Sequence, residues 1–163
     1  MRIAIVSLTE DIMDKLYELL RNISSIDLAY IVDMHTHIIT LGLSYPVPFS
    51  FDILISFDEL EALRYSILVR PKGYIFTFRR REYEDLIPPY ETYPREELIV
   101  GILSDFYNVK SIDISSDDLC IAYAIGLIAG FKNLDIAALS RVLNYSTVMQ
   151  GYKLASSLLH QIK

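Results

Sequence analysis

At 163 residues the chain has the length of one domain with a sizeable core, and it is 52% apolar with a net charge of −6. No uncharged run reaches the roughly 18 residues that a membrane-spanning helix needs; the longest, Leu119 to Phe131, is flanked by Asp117, Asp118 and Lys132. The acidic balance speaks against general nucleic-acid binding, which draws on a basic face. The single cysteine, Cys120, excludes an internal disulfide and an iron–sulfur cluster held by about four thiolates of this chain.

Met1-Arg2 leads directly into a strand pattern, so no secretory leader is expected, and a reducing cytoplasm is the expected setting. Arg2–Ser7 reads as a strand. The turn Ser7-Leu8-Thr9-Glu10-Asp11 leads into a helix over about Glu10–Arg21 with Leu16, Leu19 and Leu20 on its apolar side. Asp27–Asp33 is a second strand, and His35–Leu43 is mixed and extended in character. Tyr45-Pro46-Val47-Pro48 interrupts regular structure, because proline removes a donor and restricts the residue before it.

Phe51–Phe57 is a third strand, and Asp58 is placed to cap a helix over Glu59–Ile67. Pro71-Lys72-Gly73 predicts a turn before the aromatic strand Tyr74–Phe78. A polar, proline-containing connection follows, and Pro94 suits the first turn of a helix reaching about Tyr107. Val109–Ile114 is a strand. Ser115 or Ser116 caps a helix whose positions Leu119 to Phe131 are apolar nearly all round, which predicts burial. Helices near Asp135–Leu143 and Ser146–Ile162 complete the chain. The alternation predicts a single α/β domain spanning 1–163. It is a Rossmann-like three-layer arrangement with a mostly parallel sheet, helices on both faces and a helical C-terminal third. Ligands of such sheets bind beyond the carboxyl ends of the strands. The turns after Ser7, Asp33, Phe57, Phe78 and Ile114 are therefore the places to look.

Several residue groups there carry chemistry. A glycine-rich first turn would cradle a phosphate on helix amides, but this turn holds Glu10 and Asp11. An anion about 5 Å from one carboxylate costs roughly 3 kcal/mol at an effective dielectric of about 20. The helix N-terminus returns only about 0.3–1 kcal/mol. The expected role of the turn is structural, with Thr9 as cap and the two carboxylates on the first helical turn; a divalent cation on Glu10 and Asp11 is the functional alternative. Asp33, His35 and His37 would share one face of an extended segment, as a metal set or as a polar strand end. Arg79-Arg80-Arg81 follows a strand end and would receive a carboxylate, a phosphate or an acidic surface, or else form a solvated run balanced by Glu82, Glu84 and Asp85. Beside it, Tyr83, Leu86, Ile87, Tyr90 and Tyr93 form an aromatic, proline-rich loop, either packed on its own domain or part of an interface. Cys120 is expected to be buried and inert.

The run from Asp52 to Arg81, DILISFDELEALRYSILVRPKGYIFTFRRR, resembles the gamma-type domain of 2-oxoacid:ferredoxin oxidoreductases, most of all the small (beta) subunit of indolepyruvate ferredoxin oxidoreductase. The helix motif Leu60-Glu61-Ala62-Leu63-Arg64-Tyr65 is intact, Pro71-Lys72-Gly73 stands for the family's Pro-Gly-Gly, and Arg80 falls at its strand-end arginine. Two further motifs depart from the pattern. The family's Gly-Gly-Gln-Gly turn aligns with Thr9, Glu10, Asp11 and Ile12, and the glycine before it with Ser7. Its Glu-Thr-His-Gly-Met-Ala-Gln-Arg-Gly-Gly aligns with Asp33 to Gly42, keeping the acid, His35 and the last glycine while Gln-Arg becomes Ile39-Thr40. The buried helix keeps Gly126; Ile121 and Gln150 stand where the family has asparagines.

The resemblance implies a small subunit that does not catalyse alone. Its partner would be a large oxidoreductase subunit carrying thiamine diphosphate and an iron–sulfur cluster, with CoA used in the shared reaction. It implies Arg79, Arg80 and His35 as residues lining the cleft, with no catalytic residue, metal ligand or bound cofactor of this chain's own. The alternative is a non-catalytic homo-oligomer that retains the fold and binds a different partner or small molecule.

Overall fold

A computed structural model describes residues 1–23, 27–79, 96–114, 116–135 and 144–162. Six strands form one sheet in the order β2-β3-β1-β4-β5-β6. They are β1 (Ile3–Ser7), β2 (Leu28–Asp33), β3 (Thr36–Leu41), β4 (Phe51–Ser56), β5 (Val69–Arg79) and β6 (Asn108–Asp113). β1, β4, β5 and β6 are parallel neighbours, and β3 lies antiparallel to both β1 and β2. Five strands therefore share one direction, as the alternating pattern predicts, and the extended stretch after His35 supplies the one reversed strand.

The strand IAIVS of β1 is buried along its whole length, as expected of a strand covered on both faces. On one face Ile3, Ile5, Ile39, Ile53, Phe76 and Phe78 pack under three helices: α1 (Glu10–Ile23), α4 (Asp117–Lys132) and α5 (Tyr145–Ile162). On the other, Ala4, Val6, Ile38, Leu54 and Ile75 meet α2 (Glu59–Tyr65) and α3 (Glu96–Ser104), the latter through Ile99 and Leu103. This gives the three layers.

The caps explain the helix starts. Asp58 Oδ1 accepts from the Glu61 amide at 2.8 Å, and Ser116 Oγ accepts from the Leu119 amide at 3.4 Å. Asn144 Oδ1, not singled out in the sequence, accepts from the Thr147 amide at 3.2 Å at the start of α5. α2 is shorter than its sequence pattern and tightens into a 3-10 turn over Ser66–Leu68.

The predicted turn at Pro71-Lys72-Gly73 lies inside β5, as an excursion between the Phe51–Val69 and Ile53–Tyr74 pairs. Lys72 takes φ 62° there, its amide donates to the Phe106 carbonyl, and its own carbonyl accepts from the Asn108 side chain. The strand is thus longer than Tyr74–Phe78 because its first residues rejoin β4 before the bulge. The helix expected near Asp135–Leu143 falls outside the described residues.

α4 is buried nearly all round because α5 lies against it at backbone distance. A Cβ on Gly126 would sit 2.1 Å from the Val148 carbonyl oxygen, and one on Gly151 would sit 2.3 Å from the Tyr123 carbonyl oxygen. Neither helix can approach this closely with a side chain at those positions. Cys120 is buried in the same helix. Among the described residues, no helix is long and apolar enough to cross a membrane.

Candidate functional site

β1, β2, β4, β5 and β6 end at one edge of the sheet, where β3 begins. β1 leads through α1 to the far strand β2, whereas β4 leads through α2, on the opposite face, to β5. Chain connections diverge between β1 and β4, and in α/β sheets ligands bind at the carboxyl edge beside such a divergence.

The first turn lies at this divergence. Ser7 is fully buried, and its hydroxyl accepts from the Thr9 amide at 3.0 Å. The Thr9 carbonyl accepts from the Met13 amide at 3.4 Å and so begins α1, with Glu10 and Asp11 in the first turn. The Ser7 hydroxyl thereby supplies the Thr9 amide with a partner from within the chain. Side chains replace glycine at Thr9 and Glu10, and the turn's own charge is negative. These residues do not fit a phosphate.

The β2–β3 connection is a two-residue turn, Met34-His35, between the paired Asp33 and Thr36. Met34 takes φ 55°, a conformation that costs a side-chain-bearing residue about 1–2 kcal/mol. The turn corrects the expectation that Asp33, His35 and His37 share a face. His35 is exposed at the turn itself. Asp33 accepts from the Tyr65 hydroxyl at 2.9 Å, on the α2 side. His37 Nδ1 lies 2.8 Å from the Tyr30 hydroxyl, on the α1 side. Among the described residues, no group of three or more His, Cys, Asp or Glu side chains is placed to hold a metal.

Behind the turn sits a buried polar network. Thr36 Oγ1 donates to Glu61 Oε2 at 2.6 Å, and Glu61 Oε1 pairs with Arg64 at 2.9 Å. Glu61 is 1% exposed. Its carboxylate, held in from water, needs these donors. Ser56 Oγ donates to the Asp58 carbonyl at 2.6 Å beside it. Burial, together with the Asp33 and Glu61 carboxylates, pushes the Tyr65 phenol above its ordinary range, although the Thr36 contact pulls the other way. On the opposite face burial and the Asp14 and Glu10 carboxylates raise the Tyr30 phenol further. Thr77, in register with Ser56 on β5, is fully buried, and its hydroxyl has no hydrogen-bond partner among the described residues.

The other sequence candidates separate. Arg79 ends β5 opposite Asp113 of β6, at the carboxyl edge but two strands beyond β1. Arg80, Arg81 and the aromatic loop through Tyr93 lie outside the described residues. Ile39 and Thr40, aligned with the family's Gln-Arg, are fully buried inside β3, and Thr40 donates to the Leu43 carbonyl. Sequence reasoning did not find Thr36, Glu61 and Tyr65 as a network. The available signal was the intact Leu60–Tyr65 motif, whose polar residues at 61 and 65 lie on one helical face.

No family model and no curated protein matches the chain. Solved structures similar to it in chain course include the following three. The gamma subunit of a keto/oxoacid ferredoxin oxidoreductase from Geobacter sulfurreducens is 13% identical, with 96% of this chain and 98% of that one covered and a TM-score of 0.49. Pyruvate oxidoreductase subunit PORC from Thermotoga maritima is 10% identical over 94% of this chain and 91% of that one, with a TM-score of 0.43. 2-Oxoglutarate:ferredoxin oxidoreductase from Magnetococcus marinus, a structure with 2-oxoglutarate, coenzyme A and succinyl-CoA bound, is 10% identical with a TM-score of 0.46. Of that protein's chain the similarity covers 31%, and of this chain 99%. At these identities they assign no residue of this chain a role.

Proposed function

We propose that this chain is a divergent gamma-type small subunit of a 2-oxoacid:ferredoxin oxidoreductase of the indolepyruvate kind. It docks to a larger subunit that carries thiamine diphosphate and an iron–sulfur cluster, and it does not catalyse alone. The observation that carries this reading is the Thr36–Glu61 bond. The intact family motif on α2 is not a surface signature: its glutamate and tyrosine bind Thr36 and Asp33, within the second motif's aligned segment. Two segments that resemble the family separately are one buried network at the sheet's carboxyl edge.

In this reading the chain's residues shape and position a surface rather than hold a cofactor. The single cysteine is buried, which suits no cluster. The Ser7–Asp11 turn does not fit a phosphate, so CoA makes its contacts elsewhere in the complex. Purification of the native complex tests the proposal: a larger subunit with thiamine diphosphate and an iron–sulfur cluster should co-purify with this chain, and its absence would contradict the reading.

A second reading has its own observation. Ile39 and Thr40 are buried in β3, so the positions aligned with Gln-Arg offer no exposed polar group to a ligand. A homo-oligomeric relative that kept the fold and lost the shared reaction would carry this change equally well. A self-contained homo-oligomer of the native protein favours that reading; a stable hetero-complex excludes it.

A further inference from the structure

The hairpin formed by β2 and β3 is clamped on both faces and bare at its tip. On the α2 face Tyr65 and Glu61 bind Asp33 and Thr36. On the α1 face the Tyr30 hydroxyl meets His37, and the Tyr30 ring packs on Tyr17 with centroids 5.4 Å apart. Between these clamps Met34 takes φ 55° with 88% of its surface exposed. The folded chain buries little of that side chain, and glycine is the residue that the backbone conformation favours.

Met34 has neighbours of the same kind. Val32, on the edge strand β2, is 59% exposed. Leu8 follows Ser7, the partner of His37, and leaves the sheet at the same edge with 43% exposure. Glu10 and Asp11, which follow Leu8 on the first turn of α1, and Asp33, next to Met34 in the chain, are exposed carboxylates, while the exposed Arg64 is paired with Glu61. The pattern is an apolar centre with a mainly acidic surround.

We infer that Met34, flanked by Leu8 and Val32, is a preformed anchor that enters an apolar pocket rimmed by lysine or arginine on the larger subunit. The inference rests on the docking reading above and names the contact. An unbranched thioether adapts to the shape of a pocket. A tip held rigid by four side-chain contacts loses little further freedom when it binds. The acidic rim selects a basic surround and repels acidic surfaces.

The test uses the full chain and the native larger subunit, identified by its thiamine content and its iron–sulfur absorbance. Affinity and thermal midpoint are measured for the wild type, Met34→Gly, Met34→Asp and Phe49→Gly. Phe49 is the control: it also has a positive φ, 56°, and is 58% exposed, but it precedes β4 at the opposite edge. Both glycine variants should raise the thermal midpoint. Met34→Gly and Met34→Asp should weaken binding at least about tenfold, as loss of an interface anchor does, while Phe49→Gly stays within about twofold of wild type. Wild-type binding with both Met34 variants within about twofold of it overturns the anchor and leaves the docking reading standing. Absence of wild-type binding overturns both. A homodimer in sedimentation that Met34→Asp dissociates shows a second copy as the occupant and overturns the inference.

Discussion

Thr36 and Glu61, 25 residues apart, share a 2.6 Å hydrogen bond out of contact with water. The bond joins a hairpin strand to a helix that the chain reaches only after another strand, and it fixes both at the carboxyl edge. Thr77 is as deeply buried on β5, yet its hydroxyl has no hydrogen-bond partner among the described residues.

The same substitution at these two threonines should act with opposite sign. Thr36→Val removes a donor from a buried carboxylate and should cost about 1–3 kcal/mol. Thr77→Val removes a hydroxyl that has no hydrogen-bond partner among the described residues and should stabilise by about 1 kcal/mol. Urea unfolding of both variants checks this; two changes of the same sign would contradict the network.

The α4–α5 contact makes a comparable paired prediction. Gly126→Ala would drive a Cβ to 2.1 Å from the Val148 carbonyl oxygen and should destabilise by about 3 kcal/mol. Gly101→Ala, in α3, meets nothing within 4 Å and should stabilise by about 0.5–1 kcal/mol. Thermal unfolding reads both directly.

Alkaline pH should loosen the fold through its tyrosines. Tyr30, Tyr65 and Tyr123 ionise above the ordinary value of 10.0 in the folded chain, in each case first because of burial. Each favours the neutral phenol in the native state, so its contribution is fully present below pH 10 and is lost as pH rises towards the native value. Lys132, lowered by burial, acts in the opposite direction: its contribution is present above 10.5 and lost as pH falls through the native value. Urea unfolding from pH 8 to 11.5 should show wild-type stability falling from about pH 10 upwards and Tyr30→Phe falling less steeply. Parallel curves for the two proteins would contradict the assignment to Tyr30.

The first turn should remain closed to phosphate. Crystals soaked with coenzyme A should show no phosphate at the amides of Thr9 to Ile12, because Ser7 already serves Thr9 and the turn carries Glu10 and Asp11. Phosphate density there would contradict this account of the turn.

The order of elements was legible because their signals are local. Apolar runs mark β1 and β4, Asp58 and Ser116 announce their helices, and an all-apolar stretch marks α4 as buried. The direction of β3 was not legible. Two-residue hairpins are usually announced by Asn-Gly or a similar pair, and Met34-His35 carries no such signal. Without that turn Asp33, His35 and His37 look like one face, although the reversal sends Asp33 and His37 to opposite sides of the sheet. The network at Glu61 was hidden for a different reason. A buried carboxylate at a helix position otherwise suited to solvent shows itself only through a partner distant in sequence, here Thr36. The bulge in β5 read as a turn because Pro71-Lys72-Gly73 has the same composition in either role.

The most direct test of the docking account is purification of the native chain, followed by 2-oxoacid-dependent dye reduction. The account predicts that a larger subunit with thiamine diphosphate and an iron–sulfur cluster co-purifies with it. It also predicts that the chain alone reduces no dye, and that adding it back to the separated larger subunit restores the activity. A self-contained homo-oligomer with no such subunit, or a mixture in which dye reduction is not restored, would contradict it.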